Sequence, residues 1–319
     1  MTRFLIRRVL FGIVVMWAIT TIVFVMFFVA PHDPARLLAG RQGTATTVAA
    51  IRHSLSLDQP VLTQYLDFIG RLVHGNLGYS YYSAAPVVQL LTTRLPVTTS
   101  LAVGGAILWL LIGVSGGVLA ATHPRSTADR AVTGLALFFY SMPTFLLGLL
   151  FLYFLFYELH LSGLPVFPGG GYTPFSEDPL GWAQHLVLPW LTIALVTATT
   201  YARLTRGSLL EVLGEDYIRT ARSKGIREWR VIVVHGLRSA LTPVVTQFGI
   251  DLGTLLGGVI VTETVFGLPG LGQLAVQSIT SQDLPVIIGI VLLASFFIVV
   301  ANIVVDALYA VLDPRVRVS

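Results

Sequence analysis

The sequence predicts an all-α protein that crosses a membrane six times, and three observations predict it. Of its 319 residues, 55% are hydrophobic and 11% charged, whereas a soluble domain carries about 25% charged residues. Six segments are apolar over about the 20 residues a helix needs to cross a bilayer: 9–30, 98–121, 131–158, 185–203, 240–262 and 285–311. Lysines and arginines also crowd into alternate connections between these segments. A span in lipid has no water for its backbone, so each such segment is expected to be a helix.

The first segment follows Arg3, Arg7 and Arg8 and runs for 22 residues from Val9 to Ala30, with bulky Phe27 and Phe28 near its end. A signal peptide has an apolar core of roughly 7–15 residues and small residues before the cut. An uncleaved first span is therefore expected. Residues 31–97 form a long segment on the far side. Within it Val61, Leu62, Tyr65, Phe68, Ile69 and Leu72 recur at helical spacing. Pro60 suits the first turn of that helix, and a shorter helix is expected near 46–55. Such a segment is either a small cap or an amphipathic stretch lying at the interface.

Segment 131–158 contains Pro143, which removes one helical hydrogen bond. It is too short for two spans and is expected to be one tilted or kinked helix. The stretch 160–184, with Pro168-Gly169-Gly170-Gly171, is expected to be irregular. Residues 263–284 hold Gly267-Leu268-Pro269-Gly270 and then an amphipathic run from Leu271 to Ile279, a candidate for turning back toward the membrane.

With the N-terminus placed inside, the inner connections carry fifteen of the twenty basic residues: Arg3, Arg7, Arg8, Arg125, Arg130, eight between Arg203 and Arg238, Arg315 and Arg317. The outer ones carry Arg36, Arg41, Arg52, Arg71 and Arg94, all in 31–97, where a long segment weakens their influence. Both termini are therefore expected in the cytoplasm, in a multi-pass protein of the cell membrane. The net charge of +4 reflects basic residues at membrane edges and not a nucleic-acid surface.

Several chemistries lack their residues. There is no cysteine, hence no disulfide, thiolate metal site or Cys nucleophile. No G-x-x-x-x-G-K-S/T phosphate loop and no H-E-x-x-H occur. The seven histidines fall in loops or at helix ends, so a bis-His haem site has no ligands within the spans. No enzyme, metal or cofactor is expected on this chain. An ion-driven transporter would need several buried ionisable groups, and only Asp251 is central.

Asp251 belongs to a stripe on the fifth span, Gln247, Asp251, Thr254, Gly258 and Thr262, that shares one helix face. The stripe is either the polar wall of a translocation path or an interhelical contact. Asn302 and Asp306 form an i, i+4 pair with an expected structural hydrogen-bonding role. Gly113 and Gly117 form a G-x-x-x-G, whose default role is helix packing.

The inner loop 204–239 is amphipathic and highly charged, with a helical stretch from Glu215 to Lys224 stopped by Gly225. Composition leaves two roles open for it: docking a partner, or only setting orientation. The motifs E-D-Y-I-R-T-A-R-S-K-G at 215–225 and H-G-L-R-S-A-L-T-P at 235–243 resemble the cytoplasmic coupling loop of bacterial ABC importer permeases, in particular the dipeptide/oligopeptide branch. Arg219-Thr220-Ala221 stands where the general signature has E-A-A, as is usual in that branch. The resemblance extends through F-L-I-R-R at 4–8, L-D-Q-P-V-L-T-Q-Y-L at 57–66, R-L-P-V-T at 94–98, S-M-P-T-F at 141–145, L-L-G-G-V-I-V-T-E-T-V-F at 255–266, P-G-L-G at 269–272 and the ending V-D-A-L-Y-A-V-L-D-P-R-V-R at 305–317. G-N-L-G-Y-S at 75–80 is similar to an element of the B-type subunit that commonly has aspartate where this chain has Asn76.

The resemblance implies a type I importer permease: residues 1–30 as the inner terminus and first helix, 31–97 as a partly helical outer segment, and 98–319 as a five-helix core. It implies a C-type permease partner, two cytoplasmic ATPases carrying ATP and Mg, an extracytoplasmic binding protein and a peptide cargo. Permeases for nickel, glutathione or another small solute share these motifs. It further implies that Glu215, Asp216, Tyr217, Thr220, Ala221, Arg222, Lys224 and Gly225 dock on an ATPase. Small Thr220 and Ala221 would permit close approach there, Gly225 would supply the turn, and Glu215, Asp216, Arg222 and Lys224 would make polar contacts.

Overall fold

The computed structural model describes residues 2–29, 44–54 and 58–312. The basic residues Arg36, Arg41, Arg315 and Arg317 and the end of the C-terminal motif lie outside them. Helix α1 (Thr2–Phe24) runs on through wider π-type turns to Val29. Helices α2 (Ala45–Ser54) and α3 (Val61–Val73) follow, close to the expected positions, with Pro60 just before α3 and not within its first turn. Then come α4 (Val87–Thr122), α5 (Thr127–Tyr140) and α6 (Thr144–Phe151, continuing to Leu161). Helix α7 (Pro179–Leu213) leads to α8 (Asp216–Ser223). The last four are α9 (Glu228–Ala240), α10 (Thr242–Val265), α11 (Leu271–Thr280) and α12 (Leu284–Leu312).

Five of these are long and apolar enough to cross a membrane: α1, α4, α6, α7 and α12. The pair α9 and α10, bent by 50°, supplies the sixth when counted as one span. Helix α4 begins at Val87 and has 36 residues. At 1.5 Å per residue that is about 54 Å, well beyond a hydrocarbon core of about 30 Å. Pro96 in α4 and Pro189 in α7 sit inside continuous helices, as membrane helices tolerate.

The third expected span differs from its prediction. Segment 131–158 is not one helix: the chain leaves the helix at Ser141–Pro143, and Pro143 takes an extended conformation at φ −60°, ψ 136°. Proline lacks the N–H that would continue the ladder and forces its predecessor out of the α region. Only α6 is long enough to span, while α5 packs beside α7.

The core lies between α4, α7 and α10. Leu101 and Trp109 of α4, Leu186, Leu188 and Tyr201 of α7 and Val259 of α10 are all buried. Lipid is as apolar as leucine, so close backbone approach and polar bonds must hold such helices together. Gly113 and Gly117 provide the approach. A Cβ on Gly113 would stand 2.5 Å from the Tyr201 Cβ, and one on Gly117 would stand 2.6 Å from the Thr205 Cβ and 2.7 Å from the Ala202 carbonyl oxygen. The expected packing role of the pair is the one seen. Gly117→Val is expected to force α4 off the α7 backbone, at a cost of about 1–3 kcal/mol or more. Thermal unfolding in detergent checks this; an unchanged midpoint contradicts it.

The two ends of the bundle differ. At one end α8 and α9 pack against the end of α7. At the other, α3 folds onto the end of α1, where the ring of Phe24 stands 5.2 Å from Tyr65 and 5.7 Å from Phe68. Tyr65 Oη and Thr21 Oγ1 are hydrogen bonded at 2.8 Å. Tyr65, Phe68, Ile69 and Leu72 thus face the bundle, while Val61 and Leu62 stay exposed.

Candidate functional site

The α8 end holds the residues with docking chemistry. Gly214 ends α7, and Glu215 starts α8 from an extended conformation at φ −71°, ψ 149°. Ile218 and Ala221 are the buried face of α8, packed with Val212, Leu213, Ile226 and Val231. Glu215, Asp216, Tyr217, Thr220, Arg222, Lys224 and Gly225 are exposed. Ala221 therefore departs from expectation: its small side chain lets α8 approach its own chain, not a partner. The stop at Gly225 is as expected, with φ +72°. The Gly225 N–H donates to the Arg222 carbonyl at 2.9 Å, and the Ile226 N–H to the Ala221 carbonyl at 3.4 Å. This is the paired closure of a left-handed C-cap, completed by the buried contact of Ile226.

Arg222 is engaged within the chain. Its Nη2 donates to Glu228 Oε1 at 2.7 Å, and this guanidinium holds the Glu228 carboxyl below its ordinary range. The pair ties α8 to α9, so Arg222 shapes the loop before it meets any partner. Asp216 and Arg219 pair at 3.4 Å in full exposure, where such a pair contributes little. Tyr217 Oη reaches Ser239 Oγ at 3.4 Å, and Thr220 Oγ1 returns to the Asp216 carbonyl at 2.9 Å. Lys224 makes no ion pair among the described residues. Its ammonium, with Glu215, is presented outward.

At the same end Asp129, at the start of α5, is buried beneath Arg206 of α7, with Nε to Oδ1 at 2.7 Å and Nη2 to Oδ2 at 2.9 Å. These bonds, with the Arg125 N–H, hold the Asp129 carboxyl down at about 2. The clamp therefore stays ionised at any physiological pH. Arg8 of α1 meets Asp306 of α12 at 3.1 Å. The distant Arg8, more than the neighbouring Asn302, gives Asp306 its structural role.

In the middle of the bundle, Asp251 of α10 accepts from Tyr201 Oη of α7 at 2.7 Å and from Gln247 Nε2 at 2.9 Å. With Trp109, Thr144, Ile193 and Thr197 it also lines a cavity of about 150 Å³. Both readings of the stripe thus find support at Asp251, an interhelical bond and a polar wall. The stripe is not continuous. Thr262 is buried, its Oγ1 has no hydrogen-bond partner, and it is absent from the cavity lining. The side chains of Thr254 and Gly258 lie outside the described ones.

The opposite end carries a buried carboxylate that the sequence reading passed over. Glu263 of α10 is fully buried. Its Oε1 accepts from Thr98 Oγ1 of α4 at 2.6 Å and its Oε2 from the Gln273 N–H at 3.0 Å. The Gly272 N–H also donates to the carboxylate, and the Leu271 N–H donates to Thr98 Oγ1 at 2.8 Å. Glu263 and Thr98 thus cap the first three N–H groups of α11, which otherwise have no intrahelical partner. The P-G-L-G run explains itself here. A Cβ on Gly270 would strike the Glu263 carboxylate, and one on Gly272 would stand 2.6 Å from the Ile260 Cα. The signal that could have found Glu263 is an acid in an apolar span. The predicted span stopped at Thr262, one residue short, whereas α10 runs to Val265.

A second joint fixes the G-N-L-G-Y-S element. Asn76 Oδ1 accepts from the Gly78 N–H at 2.9 Å, a turn that either Asn or Asp can make, so no charge is required there. Ser80 Oγ donates to Asp283 Oδ2 at 2.5 Å and the Tyr81 N–H to Oδ1 at 3.1 Å, anchoring the loop before α4 to the start of α12.

Apolar crossing helices, joined by polar clamps at both ends and bearing an exposed amphipathic helix on one, define a multi-span helical membrane protein. Residues 113–318 match the binding-protein-dependent transport system inner membrane component family, and residues 1–102 match the N-terminal part of such membrane components. The chain belongs to this family. It is 42% identical over 317 residues, 99% of each chain, to a putative peptide transport system permease protein of Brucella abortus. It is 39% identical to a probable peptide ABC transporter permease protein of Sinorhizobium fredii, over 98% of this chain and 99% of that one. It is 38% identical to the dipeptide transport system permease protein DppB of Escherichia coli K12, over 99% of each chain. The fold resembles a chain in inward-facing structures of the MetNI methionine ABC transporter, with a TM-score of 0.55, 21% identity, and coverage of 70% of this chain and 97% of that one.

Proposed function

We propose that this chain is one permease subunit of an ATP-driven importer that carries di- and oligopeptides into the cytoplasm. One observation carries the reading: relatives 38–42% identical over nearly the whole of both chains are named as peptide transport permeases, putative or probable in two cases, and as the dipeptide permease DppB in the third. The chain forms half of the path, and a C-type permease forms the other half. An extracytoplasmic binding protein delivers peptide at the α3 end. Two ATPases bind at the α8 end, where ATP and Mg act on the partners and not on this chain. The charge asymmetry supports placing both termini and α8 in the cytoplasm. Helix α8 then docks through Glu215, Asp216, Tyr217, Thr220, Lys224 and the turn at Gly225, with Arg222 and Ala221 holding it in shape. Nucleotide biases a two-state tilt of the two permeases through this contact.

Purification of the tagged chain from its host, followed by reconstitution in liposomes, tests the proposal. ATPase subunits are expected to co-purify, and labelled dipeptide is expected to enter only with ATP and the binding protein. Peptide uptake without any ATPase overturns the importer reading. Uptake of nickel or glutathione in preference to peptides overturns only the cargo.

The Asp251 cavity is the part of the path that this subunit lines. Asp251→Asn keeps an acceptor oxygen for Tyr201 once the Gln247 amide turns, so the thermal midpoint is expected to hold while uptake kinetics change. Unchanged uptake with a lowered midpoint would assign Asp251 to packing alone.

A further inference from the structure

Where α1 ends, a cavity of about 280 Å³ opens between α1, α3 and the start of α12. Phe27, Phe28, Phe68 and Ile288 give it apolar walls, and Arg71, Asn76, Tyr79 and Tyr81 supply its polar lining, with Arg71 its one charged group. It lies outside the α4–α7–α10 core and shares no lining residue with the Asp251 cavity. Its volume falls below the roughly 300–1,000 Å³ of pockets that enclose whole small molecules, but it suits part of an elongated amphiphile.

Three observations say what covers it. Next to the cavity the outer face of α1 is apolar and open, as a lipid-facing surface is: Ile22, Val25, Met26 and Val29 are 57%, 47%, 62% and 46% exposed. A chain already in the bilayer can therefore reach the cavity sideways along α1. Phe27 and Phe28 lie near the end of the span Ile6–Val29, which sets the cavity at the boundary between hydrocarbon and head groups, where arginine and tyrosine are at home. Arg71 makes no ion pair among the described residues. No acid lines the cavity, and Asp283, whose charge acts on Tyr81, is already held by Ser80 Oγ and the Tyr81 N–H. The guanidinium is thus an open match for a phosphate oxygen.

We propose that this cavity binds an anionic phospholipid, with the phosphate on Arg71 and a segment of acyl chain between Phe27, Phe28, Phe68 and Ile288. The lipid bridges α3 to α1 and α12 and holds the cap on the bundle.

The test uses the whole transporter complex in phosphatidylcholine nanodiscs, doped with photoactivatable phosphatidylglycerol or with the matching phosphatidylcholine probe, and cross-links mapped by mass spectrometry. The phosphatidylglycerol probe is expected to label 24–29, 65–81 or 284–288 about five-fold more than the phosphatidylcholine probe. Arg71→Gln, on an exposed helix position, should remove that preference and leave the thermal midpoint in phosphatidylcholine alone unchanged; Arg71→Lys should keep it. Equal labelling by the two probes, labelling only elsewhere, or a preference that survives Arg71→Gln overturns the proposal. Displacement of the label by dipeptide also overturns it, by making the cavity a cargo site.

Discussion

Glu263→Ala is expected to lower the thermal midpoint of the purified subunit by several degrees and to abolish most uptake. The substitution leaves three buried donors without their acceptor: Thr98 Oγ1 and the N–H groups of Gly272 and Gln273. Each such orphan costs about 1–3 kcal/mol, and the space left by the carboxylate adds to that. The loss acts on a joint of α4, α10 and α11, so it should propagate into the relative placement of those helices. Glu263→Gln separates charge from bonding. Its amide oxygen can still accept from the Gln273 N–H, but its NH₂ then points at Thr98 Oγ1, which already accepts from the Leu271 N–H and keeps a proton with nowhere to go. The glutamine variant should fall between wild type and alanine in both midpoint and uptake. A Glu263→Ala protein with wild-type midpoint and uptake would show that the joint is not needed.

The membrane class, the positions of the crossing helices and the α8 turn were legible because each rests on a local signal. Apolar runs of span length, a basic last turn and a glycine beyond it need no knowledge of the rest of the chain. Even the small helix α3 followed from spacing at Tyr65, Phe68, Ile69 and Leu72. The break at Pro143 was half legible. A proline announces a disturbance, but whether the helix kinks or stops depends on what its two halves pack against. Here α5 finds the flank of α7, and the chain leaves the helix altogether.

The polar clamps were not legible for a different reason. Asp129 with Arg206, Arg8 with Asp306, Ser80 with Asp283 and Thr98 with Glu263 join residues tens to hundreds of positions apart. No periodicity encodes such a partner. Each joint fastens a helix end that lipid leaves without a hydrophobic driving force, so these distant pairs supply part of what burial supplies in a soluble core. The sequence pattern did place Ala221 and Thr262 on plausible polar or docking faces. It could not tell that both side chains are turned toward the protein itself, since a small or hydroxylated residue fits either environment.

At the α8 end, Gly225→Val is expected to uncouple ATP hydrolysis from uptake while leaving membrane insertion intact. A Cβ at this position meets nothing within 4 Å, so no collision is involved. The penalty is conformational: a φ of +72° is left-handed backbone, costing about 1–2 kcal/mol for an L-residue and more for a β-branched one. That is enough to change the population of the native turn by roughly 5–30-fold. With the turn opened, Ile226 leaves the pocket of Ile218 and Val231, and Glu228 no longer meets Arg222. The proposed docking surface then loses its shape, although the α4–α7–α10 core, which contains none of these residues, still assembles. Gly225→Asn should be mild, because asparagine tolerates the left-handed region. The measurement is uptake per ATP hydrolysed by the reconstituted complex. A fall for valine with near-normal asparagine behaviour supports the turn as the coupling element. Equal coupling in valine and wild type would remove Gly225 from it, and loss in both variants would point to a direct partner contact at the glycine backbone instead.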